Sequence, residues 1–136
     1  MASNKHTIEV SYPHNLENLF QKVIKLAGLP ELDNDDKFAL ELSFVEAVNN
    51  ALIHGNGKSK EKKVRLDFSF EDSVFKLTIT DQGQGFDATR LPDPTTSDNI
   101  DKDSGRGVLL IRHYMDYVCY NEKGNSLTIS KRINQP

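Results

Sequence analysis

Between Val64 and Ile79 the chain alternates twice. Val64, Leu66, Phe68 and Phe70 take every second position, with Arg65, Asp67 and Ser69 between them. Phe75, Leu77 and Ile79 then alternate with Lys76 and Thr78, and Thr80 follows. Successive side chains on a strand point to opposite faces, so each run has one oily face and one polar face. The three residues Glu71, Asp72 and Ser73 between the runs suit a tight hairpin. A lone hairpin is marginal in water, so this one requires neighbours and a cover for its oily face.

The rest of the chain supplies both. Lys5–Val10 alternates as a short strand, and "YVCY" with "LTISKRI" predicts a second hairpin turning near Lys123 and Gly124. Leu16, Leu19, Phe20, Val23, Ile24 and Ala27 follow the spacing of an amphipathic helix, which Gly28 and Pro30 end. Asp33 is placed to cap a second helix running to about His54. "GRGVLLIRHYMD" begins a third, with Val108, Ile111 and Met115 on one side. The expected fold is an α/β two-layer sandwich: a mostly antiparallel sheet with helices on one face and water on the other.

Composition narrows the function classes. A chain of 136 residues suits one domain, 1–136, around one core. The net charge of −3 and the lack of a long basic run argue against a nucleic-acid partner. No stretch has the length and apolarity of a membrane span or a signal-peptide core, which favours the cytoplasm. Cys119 is the single cysteine, so neither an intrachain disulfide nor a multi-cysteine zinc site is available. Its simplest role is that of a small buried strand residue.

Three stretches carry polar groups where a core is expected. In "ELSFVEAVNNALIHGN", Glu46 and Asn50 lie about 40° apart on a helical wheel, flanked by Ala39, Leu42 and Ile53 on a stripe that should pack on the sheet. The residues alone leave two readings: a structural pair at the helix rim, or a site. In "DQGQGF", Asp81 leaves its strand on the same side as Phe75, Leu77 and Ile79, where it needs a donor such as an exocyclic amine. Gly83 and Gly85 then allow another group to approach the backbone. In "SGRGVLLI", Gly105 and Gly107 open a helix whose free N–H groups suit an anion, beside Arg106. Residues 86–104 hold two prolines and little apolar periodicity, the pattern of a lid or binding loop.

Each stretch is weak alone, but their order and spacing resemble the GHKL ATP-binding superfamily with its Bergerat fold. Within it, "SFVEAVNNALIHGN", "DQGQGFD" and "DSGRGVLLIRHYMD" are similar to the three boxes of the bacterial anti-sigma-factor serine/threonine kinases, and "LPDPTTSDNIDKDSGRG" to their lid. The resemblance runs from about Ile8 to Ile133. It implies that Asn50 gives an oxygen to Mg²⁺ on the phosphates of ATP and that Glu46 acts as base toward an incoming hydroxyl. It further implies that Asp81 accepts from the adenine amino group, with Gly83 and Gly85 against the base. Gly105, Arg106, Gly107 and Val108 would hold the phosphates under a lid at about 86–104. The implied activity is phosphorylation of a STAS-domain anti-anti-sigma factor by a kinase that also binds a sigma factor, commonly as a homodimer. Two alternatives stand beside it: an ATP-binding module that sequesters a partner without turnover, and the catalytic domain of a split histidine kinase. The chain departs from the family in carrying Gly124-Asn125 where members often have Gly-Thr.

Overall fold

The computed structural model describes residues 5–83 and 103–133. In chain order the elements are β1 (Lys5–Val10), α1 (Leu16–Ala27), α2 (Asn34–Asn49), a π-helical turn (Asn50–Gly55), β2 (Val64–Glu71), β3 (Val74–Thr80), α3 (Asp103–Tyr114), β4 (Tyr117–Tyr120) and β5 (Ser126–Arg132). The five strands form one sheet in the order β1-β2-β3-β5-β4, with every neighbouring pair antiparallel.

Register follows from the oily face. Ile8 pairs with Leu66, Leu66 with Ile79, Ile79 with Leu127 and Leu127 with Tyr120, so one row crosses the whole sheet on the helix side. A slip by one residue in any strand would turn that row to water. The opposite face is polar. The hydroxyls of Thr78 and Thr128 lie 2.9 Å apart, as do those of Thr80 and Ser126, and Arg65 Nε meets Asp67 at 3.0 Å. The β2–β3 turn has Asp72 and Ser73 both at positive φ, 53° and 65°. That is the turn whose twist matches a two-residue hairpin.

The helices cover the oily face. Asn15 caps α1 by accepting from Asn18 N at 3.0 Å, and Asp33 caps α2 by accepting from Asp36 N at 2.7 Å. Leu19, Phe20 and Val23 of α1 and Leu40, Phe44 and Val48 of α2 are buried with the inward strand residues, and the rings of Phe20 and Phe44 meet at 5.4 Å. Val108, Ile111 and Met115 of α3 are buried on one side, as their spacing predicts.

Several expectations are corrected. The α-helix expected to reach His54 ends at Asn49 and widens into the π turn, closed by Asn56 N donating to Ala51 O at 2.9 Å. The sheet-facing stripe of α2 is Leu40, Phe44, Ala47 and Val48, whereas Leu42 and Ile53 are only half-buried. Glu46 and Asn50 are turned from the sheet toward α3. That helix begins at Asp103, so Gly105 and Gly107 lie inside its first two turns instead of ahead of it. The four free N–H groups of its first turn are therefore those of residues 103–106. Cys119 is exposed: β4 is an edge strand whose alternation turns Val118 and Tyr120 inward and Tyr117 and Cys119 to water. Gly85 and residues 86–102 of the expected lid lie outside the described residues.

Candidate functional site

The polar groups singled out above meet at one end of the helix layer, where β3 ends, the π turn closes and α3 begins. Glu46 and Asn50 stand one turn apart, both half-buried. A methyl group added at Gly107 would lie 2.9 Å from Asn50 Nδ2 and 3.1 Å from Glu46 Oε2. Gly107 therefore gives α3 the clearance to pass over this pair, a steric role that any side chain would end. Asn50 Nδ2 is buried and has no hydrogen-bond partner among the described residues. A buried amide left unpartnered costs free energy, so the group fits a site completed by something outside the protein.

At the other end of the π turn, Gly55 faces Asp81. A side chain at Gly55 would collide with the Asp81 carboxyl group, and one at Gly83 would strike the Gly55 carbonyl. The two glycines thus let the π turn and the segment after β3 close around one carboxylate. Gly83 N donates to Asp81 Oδ1 at 2.8 Å, while Asp81 N donates to Asn125 O at 2.9 Å. Burial raises the Asp81 pKa above the usual carboxylate range, opposed by the Gly83 hydrogen bond and by the charges of Lys123 and Lys62. Asp81 Oδ2 has no hydrogen bond to another residue among those described, and can accept from an amine.

Tyr120 borders this end. Its phenol is pushed up to about 12, chiefly by burial and also by the charge of Asp81, with Arg112 pulling the other way. It stays protonated at neutral pH and adds no charge beside Asp81. Asn125 is held over the same strand end: its Nδ2 donates to Asp81 O at 3.3 Å and its Oδ1 accepts from Asn121 Nδ2 at 2.8 Å. An asparagine here ties the β4–β5 turn to β3.

The expected residues thus divide into two groups. Glu46, Asn50 and Gly107 form one end and Asp81 and Gly83 the other, joined by the π turn. Gly105 and Arg106 lie in the first turn of α3, and the Val108 side chain is buried in the core, leaving its backbone for any ligand role. His54 is exposed at the end of the π turn. Gly55, Asn56 and Tyr120 were missed. Tyr120 was open to the parity rule that found Asp81, since it shares the inward face with Val118. Gly55 and Asn56 read only as turn residues, because their contacts are to segments far along the chain.

Among the described residues no three His, Cys, Asp or Glu side chains cluster to hold a metal ion, and no helix is long and apolar enough to cross a membrane. A cation bound here would take most of its ligands from outside the protein. That is the habit of Mg²⁺, which keeps waters and substrate oxygens beside one or two protein oxygens.

Comparison with known proteins identifies the family. The profile of the histidine kinase-like ATPase domain matches residues 11–131. The chain is 30% identical over 124 residues to the anti-sigma F factor of Bacillus subtilis strain 168, covering 85% of this chain and 84% of that one. It is 32% identical over 146 residues to the serine-protein kinase RsbW of Staphylococcus epidermidis, covering 99% of this chain and 92% of that one. It is also 35% identical over 104 residues to the anti-sigma F factor of a Bacillus cereus strain, covering 73% and 70% of the two chains. A family match across nearly the whole chain, on a fold that gathers its three boxes at one end, shows that this protein belongs to the histidine kinase-like ATPase domain family.

Proposed function

We propose that the chain is an ATP-dependent serine/threonine protein kinase that acts as an anti-sigma factor and phosphorylates a STAS-domain anti-anti-sigma factor. The observation that carries this reading is the pairing of Glu46 and Asn50 over Gly107, with the Asn50 amide nitrogen left without a partner among the described residues, a donor suited to a phosphate oxygen. The likeness to a serine-protein kinase and to anti-sigma F factors supports it.

In this reading Asp81 accepts a hydrogen bond from the adenine amino group, with Gly83 and Gly85 against the base. Gly105, Arg106, Gly107 and Val108 border the phosphates, the first two through the N-terminal turn of α3, where the helix dipole favours anions. Asn50, through its amide oxygen, is the residue that would hold Mg²⁺, with Glu46 beside it. The ion supplies neutralisation of phosphate charge. An amide serves this place better than a second carboxylate, because it adds an oxygen without adding negative charge beside a triphosphate. Glu46 orients the incoming serine or threonine hydroxyl and takes its proton. Phosphoryl transfer depends chiefly on such positioning and charge neutralisation. Tyr120 closes the adenine end with a neutral group.

The partners are a sigma factor and its STAS-domain antagonist, with a homodimer as the working assembly, which light scattering measures directly. The chemistry is tested with Glu46→Gln. Glutamine preserves size and hydrogen bonding but cannot take the proton, so ATP and partner binding persist while transfer falls by about 10²–10⁴-fold. Labelled phosphate on serine or threonine of a STAS protein, lost in this variant, is the expected result. Phosphohistidine on a partner would point to a split histidine kinase. Tight partner binding with ATP but no transfer by the wild type would leave a sequestering module.

A further inference from the structure

We infer that Asn56 is a positioning residue that holds Asp81 at the adenine end of the site and ties it to Asn50 at the phosphate end; this rests on the nucleotide reading above. Asn56 is 3% exposed, although it lies in a polar loop. Its side chain is used in both directions. Oδ1 accepts from Gln82 N at 2.7 Å, and Nδ2 donates to Lys63 O at 3.0 Å. Gln82 completes the clasp, its Oε1 accepting from Lys63 N. One buried amide therefore joins the end of the π turn, the residue before β2 and the residue that follows Asp81.

The clasp determines where the Asp81 carboxylate sits. Asp81 is flanked in the chain by Gln82, whose N–H is held by Asn56, and by Thr80, the last residue of β3, which pairs in the sheet with Arg65 and Ser126. With both neighbours fixed, the side chain is directed at Gly55. Gly55 is held in turn, because the next residue, Asn56, donates its own N–H to Ala51 O at 2.9 Å. That bond closes the wide turn beginning at Asn50. Wide π turns of this kind are frequent at functional sites. Asn56 thus links both ends of the site through a single side chain and its own backbone amide.

A role confined to stability would weaken every ligand alike, whereas positioning of Asp81 acts on the base alone. Binding of Mg-ADP and Mg-GDP is measured by calorimetry for the wild type, Asn56→Ala, Asn56→Asp and Asp81→Asn, and for the double variant Asn56→Ala/Asp81→Asn. Guanine has a carbonyl where adenine has the amine, so Asp81 favours ADP. Asn56→Ala is expected to weaken ADP by about tenfold, to leave GDP little changed, and to add almost nothing in the Asp81→Asn background. Asn56→Asp keeps the acceptor for Gln82 N and should fall between wild type and alanine. Unchanged ADP affinity in folded Asn56→Ala overturns the inference. So does an equal loss for both nucleotides that adds to the effect of Asp81→Asn. If Asn56→Ala does not fold, Asn56→Asp decides by the same criteria, since it keeps the acceptor for Gln82 N and removes only the donor to Lys63 O. A wild type that binds neither nucleotide refutes the nucleotide reading itself.

Discussion

Asp81 shows how a candidate site residue is maintained against its own cost. Its carboxyl is half-buried, and burial raises its pKa. An acid whose folded pKa exceeds its unfolded value costs stability once both states are ionised. That cost fades as pH falls through the folded pKa and is gone below the unfolded one. Asp81→Asn should therefore unfold at the same or a higher temperature than wild type near neutral pH, with the gap closing in acid. Thermal melts across that range check the sign. The same substitution should weaken adenine nucleotide binding, since a hydrogen bond to a charged group is worth roughly 1.5–3 kcal/mol. Gly107 presents the reverse trade. Alanine in a helix is favoured over glycine by about 0.5–1 kcal/mol, but its methyl would sit 2.9 Å from Asn50 Nδ2. Gly107→Ala should melt within a few degrees of wild type and yet bind Mg-ATP poorly, as calorimetry would show.

The elements are held by local rules that can be tested one at a time. The β2–β3 turn places Asp72 and Ser73 in the left-handed region, where non-glycine residues are strained. Changing the pair to Asn-Gly, the preferred sequence for such a turn, should raise stability by about 0.5–1 kcal/mol in denaturant melts. The N-cap of α1 offers the opposite sign. Asn15→Ala removes the acceptor for Asn18 N and should cost about 1 kcal/mol. Neither change touches the site, so nucleotide affinity should be unaltered in both. Between α2 and α3 the logic differs. Their contact includes the polar stripe of Glu46 and Asn50, and Gly107 lies opposite that stripe in a helix that begins at Asp103.

At the scale of the molecule, one core serves both layers and the site occupies its end. Phe44 is buried at the centre of the helix layer against Phe20. Phe44→Ala should cost about 3–5 kcal/mol, a large share of the total for a domain of this size. Bound nucleotide should offset part of that loss. A ligand at one hundred times its Kd stabilises the folded state by about 2.7 kcal/mol. Mg-ATP should therefore raise the melting temperature of wild type and of Phe44→Ala by several degrees, and a chelator should remove most of the rise. An equal shift with and without Mg²⁺ would take the metal role from Asn50.

Much of this was legible in the chain. Alternation located all five strands and the inward side of Asp81, because a period of two leaves no freedom about which face a residue takes. Helical spacing and caps located α1 and most of α2 for a similar reason: the hydrogen bonds that define them span only three or four residues. What the sequence could not determine was decided by contacts between distant segments. The π turn after Asn49 ends at Asn56, whose side chain bonds Lys63 and Gln82, partners that no local pattern names. Glu46 and Asn50 are polar in any reading of the sequence. That they face α3 across a glycine, and not the sheet, was set only when the helices packed, because the direction a helix face takes depends on its neighbours and not on its own period.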